Sequence, residues 1–289
     1  MTAQEWLRKA SVALENAKIT DADSDAWLML SYVTGMSRME YTLKRDRCLS
    51  AEEVCSLSKM LEKRKQHIPV QQITGEAWFM GYPFWVNENV LIPRMDTEVL
   101  VEAVLTRLAS VPLPKNKKRR ILDMCTGSGC ILLSLLKETN GLLGTGADIS
   151  EEALCVARQN ADRLECKARF IRSDLWENID DTYEIIVSNP PYIVRNVILT
   201  LDAEVRDHEP LLALDGGEDG LDFYRKIVAD ARRFLVPGGL LAFEIGYDQG
   251  QALTELLNNA GYNNIEILKD LAGLDRVALG WKADEQQEE

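Results

Sequence analysis

The chain has 289 residues, enough for one or two domains with a large buried core. A hydrophobic share of 46% and a charged share of 27% belong to a soluble globular protein, not a disordered one, and no run approaches the ~20 apolar residues that cross a bilayer. A net charge of −13 argues against a chain built to grip nucleic-acid phosphates and suits a basic protein partner better.

The start, Met1-Thr2-Ala3-Gln4-Glu5-Trp6, carries no signal-peptide core, so a cytoplasmic protein is expected. Trp6, Ala10, Ala13, Leu14 and Ala17 recur at helical spacing. Asp21 and Asp23 can cap a second helix with Trp27, Leu30 and Val33, which Gly35 stops. Ser50-Ala51-Glu52-Glu53 is a capping-box pattern, opening a helix whose Val54, Leu57 and Leu61 share a face before Pro69 ends it. A small helical bundle follows from these stripes, which read as core. From Gly75 to Pro93 the residues turn aromatic and β-branched, with Gly81 and Asn87 as turn formers, which predicts a hairpin connecting two domains. Thr97 to Leu108 returns to helix, and Val111-Pro112-Leu113-Pro114 breaks it. The run Lys115-Asn116-Lys117-Lys118-Arg119-Arg120 reads as a solvated entry to the next strand, with nucleic-acid contact as the alternative.

Beyond Arg120 strands and helices alternate. Strands are expected at Ile121 to Cys125, Leu143 to Ile149, Ala168 to Ser173, Tyr183 to Ser188 and Leu240 to Ile245. Helices are expected from Cys130, at Glu151 to Leu164, Phe223 to Leu235 and Gln249 to Ala260, before a terminal strand pair. That pattern is α/β: a doubly wound, Rossmann-like, mostly parallel sheet covered on both faces, whose ligands bind at the strands' carboxyl ends. Ala283 to Glu289 reads as a frayed acidic tail.

Two turns carry chemistry. Asp123-Met124-Cys125-Thr126-Gly127-Ser128-Gly129 closes a strand and opens a helix; its glycines let the backbone approach a ligand, and the helix start offers free N–H groups. A dinucleotide fingerprint would place a third glycine where Leu132 stands, which weakens a pyrophosphate reading. Asp148, at the end of the next strand, can accept both hydroxyls of an adenosine ribose, a role open to nicotinamide and S-adenosylmethionine cofactors alike, while Ser150 is the better helix cap. Asp174 can accept from an adenine amino group, with Leu175 or Trp176 packing on the ring. The second turn, Asn189-Pro190-Pro191-Tyr192, follows a buried-strand run. Its prolines fix φ and remove donors, so it presents carbonyl acceptors together with the Asn189 side-chain oxygen, a device for holding a planar NH2 group. The two turns together suggest methyl transfer from S-adenosylmethionine to an amide or exocyclic amine nitrogen. Six scattered cysteines without a Cys-x-x-Cys pair, and only two histidines, make a metal site or disulfide frame an unexpected feature.

In order and spacing, Pro69-Val70-Gln71-Gln72-Ile73-Thr74-Gly75, Leu91-Ile92-Pro93-Arg94-Met95-Asp96-Thr97-Glu98 and the two turns resemble the HemK/PrmC family. These are the protein-(glutamine-N5) methyltransferases that modify the Gly-Gly-Gln motif of peptide-chain release factors. The resemblance covers nearly the whole chain. It implies a substrate-docking helical bundle over 1–72, a β-hairpin linker over 73–95, a methyltransferase domain over 96–283 and an acidic tail over 284–289. It implies S-adenosylmethionine as cofactor, release factors as partners, and no membrane or direct nucleic-acid binding. Cys125, Thr126, Gly127, Ser128, Gly129, Asp148, Asp174, Leu175 and Asn189 would bind the cofactor. Asn189, Pro190, Pro191 and Tyr192 would receive the glutamine, with Asn189, Pro190 and Tyr192 catalytic. Three departures stand out: Cys125 where glycine is common, tolerable with a negative φ; Met95 where proline is common; and Leu175 where an aromatic is common. An adenine-N6 DNA methyltransferase shares the Asn-Pro-Pro-Tyr motif, but the acid excess and the lack of a target-recognition insert count against it. A non-catalytic S-adenosylmethionine-binding module has no physical need for that motif, and a serine hydrolase would need a Gly-x-Ser-x-Gly turn.

Overall fold

The computed structural model describes residues 1–113 and 118–283. Lys115, Asn116 and Lys117 of the basic run and the acidic tail from 284 lie outside the described residues. The chain divides into two compact units, Met1–Glu76 with Asp202–His208, and Ala77–Leu201 with the chain from Glu209 onward.

The first unit is helical: α1 (Ala3–Asn16), α2 (Ala22–Thr34), α3 (Arg38–Lys44), α4 (Ala51–Arg64) and the short α5 (Val70–Thr74). Capping boxes open three of them, with Thr2 and Glu5, Ser37 and Glu40, and Ser50 and Glu53 exchanging side-chain and backbone hydrogen bonds. Gly35 ends α2 at φ 67°, where a side chain would be strained. Trp6, Leu14, Met29, Leu30 and Leu57 form the core. An ion pair is buried among them. Arg64, 4% exposed, pairs through Nε with Asp25 at 2.6 Å and through Nη2 with Glu204 at 2.5 Å. His208 is held in the same unit, its backbone oxygen accepting from Gln72 at 2.8 Å.

The second unit begins one residue into the hairpin of β1 (Glu76–Phe79) and β2 (Tyr82–Trp85), which α6 (Met95–Arg107) follows. There follow β3 (Arg119–Met124), α7 (Cys130–Glu138), β4 (Leu142–Asp148), α8 (Glu151–Arg163), β5 (Ala168–Arg172), β6 (Tyr183–Ser188) and the short α9 (Arg195–Ile198). The one-turn α10 (Ala203–Arg206) lies in the first unit's segment, and α11 (Asp222–Phe234), β7 (Leu235–Glu244), α12 (Gly250–Asn259), β8 (Tyr262–Lys269) and β9 (Asp275–Lys282) complete the chain. The seven-stranded sheet runs β5-β4-β3-β6-β7-β9-β8, parallel from β5 to β7, with β9 antiparallel to both neighbours. Successive side chains go to opposite faces: Ile121, Ile185 and Leu240 join the core with α6 and α7, while Leu122, Ile186 and Leu241 join that with α11 and α12. The fold is the doubly wound α/β sheet anticipated from the sequence.

The hairpin packs into the second unit, with Phe79 and Phe84 fully buried beside Leu100 and Val104 of α6. Arg119 and Arg120 are not part of a solvated entry. Arg119 donates to the Val111 carbonyl at 3.0 Å, and Arg120 pairs with Glu184 at 3.1 Å, because a carboxylate buried in β6 requires a counter-charge.

Candidate active site

The sheet's chain order reverses beside β3, which pairs with β4 on one side and β6 on the other; Met124 lies opposite Ala147 and Ser188. A crevice opens at such a point beyond the carboxyl ends of the strands. Here it is a cavity of about 290 Å3, and both motif turns reach it.

On the β3 side, Thr126 donates from its backbone to Ala147 O at 3.0 Å and from its hydroxyl to Asp123 Oδ2 at 2.6 Å. Gly127 has φ 54° with open space where a Cβ would stand, and its N–H donates to Asp148 Oδ2 at 2.9 Å. Gly129, at φ 79°, sits where a Cβ would meet Leu133 and Ala157 at 3.2 and 3.3 Å. Cys125 has φ 61°, so the condition of a negative φ fails: the turn itself is left-handed here and the cysteine adopts it. Asn160 of α8 ties this turn to the hairpin, donating to Ser128 O at 2.9 Å and to Trp85 O at 3.0 Å.

Asp148 accepts from Gly127 and, through Oδ1, from Ser150 N at 3.0 Å; burial still raises its carboxyl above the usual range. Ser150 is the cap of α8, accepting from Ala153 N at 3.0 Å. Asp123 is fully buried, and desolvation pushes it up to about 7.

Cys125, Thr126, Gly127, Ser128, Asp148, Asp174 and Leu175 all line the cavity, as do Asn189 and Pro191. Gly129, Pro190 and Tyr192 do not. Of the two candidates for a ring contact, Leu175 lines the wall, whereas Trp176 stacks on Phe234 with ring centroids 4.6 Å apart. Among the described residues the Asn189 carboxamide makes no hydrogen bond to the protein, and neither does the Pro190 carbonyl. Tyr192 donates its hydroxyl to Glu244 Oε1 at 3.1 Å. Glu244 is 2% exposed and its carboxyl is raised by that burial.

Other lining residues escaped the sequence reading. Arg94 and Thr97, from the Ile-Pro-Arg segment, face the cavity, and Arg94 forks onto both oxygens of Glu209 at 2.8 Å. Pro210, Leu212 and Ala213 close another side. The only signal for that stretch is its position just ahead of the glycine cluster Gly216, Gly217 and Gly220.

Sheet order, cavity position and turn chemistry define the class as an α/β methyltransferase with an added helical unit. Residues 5–75 match the PrmC N-terminal domain, and residues 102–203 match the methyltransferase small domain. A methyltransferase structure from Pyrococcus furiosus, 18% identical with a TM-score of 0.53, covers 77% of this chain and 99% of its own, which shows the shared fold. A release factor glutamine methyltransferase of Caulobacter vibrioides is 44% identical over 93% of this chain and 92% of its own. Another, of Agrobacterium fabrum, is 41% identical over 96% of each. The chain belongs to the release factor glutamine methyltransferase family.

Proposed function

We propose that this protein methylates the side-chain amide nitrogen of the glutamine in the Gly-Gly-Gln motif of peptide-chain release factors, with S-adenosylmethionine as methyl donor. The observation that carries the reading is the Asn189 carboxamide, without a hydrogen bond to any described residue and lining the same cavity as the glycine turn and Asp148. The names of the close relatives support the substrate.

The residues fit an adenosine-bearing cofactor. Gly127 leaves the cavity open where a Cβ would stand, and Asp148 keeps lone pairs beyond its two backbone hydrogen bonds for ribose hydroxyls. Asp174 would accept from the adenine amino group and Leu175 would pack on its ring. When bound, S-adenosylmethionine supplies a methyl group activated by its sulfonium charge.

A glutamine nitrogen is a poor nucleophile because its lone pair is delocalised into the carbonyl. In this reading Asn189 Oδ1 and the Pro190 carbonyl accept its two hydrogens, which fixes the nitrogen's direction and favours the positive charge that grows on it. Neither proline has an N–H to compete for those acceptors. Pro191 forms the wall beside the amide, and Tyr192, its hydroxyl held by Glu244, supports the turn. No strong base is required, since the methylated amide is acidic enough to release one proton to water. No helix among the described residues is long and apolar enough to cross a membrane.

The test is incubation with labelled S-adenosylmethionine and either purified release factor or unmethylated DNA, followed by mass spectrometry of the acceptor. One methyl group on the motif glutamine is expected, and none on DNA. Asn189→Ala should slow transfer roughly 100-fold or more by removing the acceptor that aims the nitrogen. Label on adenine, or a wild-type rate for Asn189→Ala, would defeat the reading.

A further inference from the structure

Two consecutive prolines remove two backbone donors from the Asn189 turn, so fewer bonds of its own can hold its shape. The structure shows the holder. Gln249, the residue before α12, has a side chain that makes no cap hydrogen bond to its own helix. Its Nε2 instead donates to the Tyr192 carbonyl at 3.1 Å and to the Gly220 carbonyl at 3.2 Å, while Oε1 accepts from Gly246 N at 2.9 Å. Both N–H bonds are used, so the amide has one orientation.

The glycine loop that Gln249 holds lies flush against the turn. A Cβ on Gly220 would stand 2.4 Å from Tyr192 O, and one on Gly216 would stand 2.7 Å from Tyr192 Cα. Ile193 N donates to Leu214 O at 3.0 Å and Gly216 N to Ile193 O at 2.9 Å, a short bridge continuing the same contact. Tyr192 is thereby fixed at both ends, by Gln249 at its carbonyl and by Glu244 at its hydroxyl. Glu244 ends β7, whose Phe243 pairs with Ser188 just ahead of Asn189, and Gln249 follows at the N-cap of α12. Gln249 is buried and does not line the cavity.

We propose that Gln249 is a positioning residue for methyl transfer: by locking the Tyr192 carbonyl to the Gly220 loop it aims the free Asn189 carboxamide at the acceptor nitrogen. The inference rests on the functional reading above, and it deepens that reading by naming what fixes the reacting geometry. An acceptor displaced by about 1 Å costs on the order of 100-fold in rate, whereas the cofactor's Asp148 and glycine turn are held by other bonds.

Gln249→Leu removes both donors at similar size. Expected are a kcat on release factor lower by roughly 10–100-fold, a KM within about threefold of wild type, and a cofactor Kd within about twofold, by calorimetry. Hydrogen exchange of peptides spanning 189–197 should be faster in the variant, and this readout does not depend on activity. Gly220→Ala, which pushes a methyl group into the same junction, should reproduce the kcat loss and decides the matter if Gln249→Leu does not fold. A folded variant with wild-type kcat and unchanged exchange overturns the proposal, and so does a kcat loss matched by an equal loss of cofactor affinity. Faster exchange in the variant, with a wild-type enzyme that leaves release factor unmethylated, supports the brace and counts against the substrate alone.

Discussion

Asp148 is placed to serve the protein and, in the proposed reading, the ligand as well. Its oxygens already hold Gly127 N and Ser150 N, so Asp148→Ala removes the proposed ribose acceptor together with the contact that shapes the glycine turn. S-adenosylmethionine affinity should fall by about 1–3 kcal/mol, as for a lost charge-assisted hydrogen bond, and calorimetric titration measures it. Asp123 is the second residue of interest. Its carboxyl is raised from 3.8 to about 7 by burial, so between those values the folded chain binds a proton that the unfolded chain has released. Its stabilising contribution is full below the unfolded value and is lost as pH rises through about 7. Asp123→Asn keeps an oxygen to accept from Thr126 and removes the titration. Melting temperature should then fall less steeply with pH between about 4 and 7 than in wild type, and an unchanged slope would locate the proton elsewhere. Cys125 shows where residue-level reading stopped: its identity was visible, but its left-handed φ is a property of the turn that only the folded backbone reveals.

At the scale of elements, local chemistry accounts for several boundaries, above all in the helical unit. Ser50 and Gly35 were legible as a cap and a stop because a capping box and a left-handed C-cap need only neighbouring residues. The partners of Arg64 on α4 were not, since Asp25 and Glu204 lie far from it in sequence. A long-range ion pair leaves no periodic trace. Replacing Arg64 by Met would strand the Asp25 carboxyl, already raised by burial, without its guanidinium. A loss of about 3–5 kcal/mol in stability is expected for breaking a buried pair from one side, measured by urea unfolding. The hairpin illustrates the same limit: its strands follow from aromatic and β-branched texture, while its burial against α6 depends on a helix that composition does not assign to it.

For the whole molecule, a net charge of −13 bears on encounter more than on chemistry. A basic protein substrate would be steered toward it, and screening would weaken that steering. The value of kcat/KM on intact release factor should fall as salt is raised from about 0.05 to 0.5 M, while that on a short uncharged Gly-Gly-Gln peptide should change little. Equal salt sensitivity for both would remove long-range attraction from the account. The chain also leaves the second unit at Leu201 and returns at Glu209, a detour through the helical unit that sets in just beyond the Asn189 turn.

What the sequence by itself determined is the set of local, periodic and motif features: the strand and helix order, the family, and the two turns that converge on one cavity. These are legible because period-2 and period-3.6 patterns, prolines and glycines act through neighbouring residues. What only the tertiary structure decided is which residues complete and brace that cavity. Arg94 on Glu209, Gln249 on Tyr192, Glu244 behind the phenol, and Trp176 on Phe234, which leaves Leu175 in the wall, are all pairings across long stretches of chain. Such pairings are fixed by how the sheet stacks its carboxyl ends together, and no local pattern of residues encodes them.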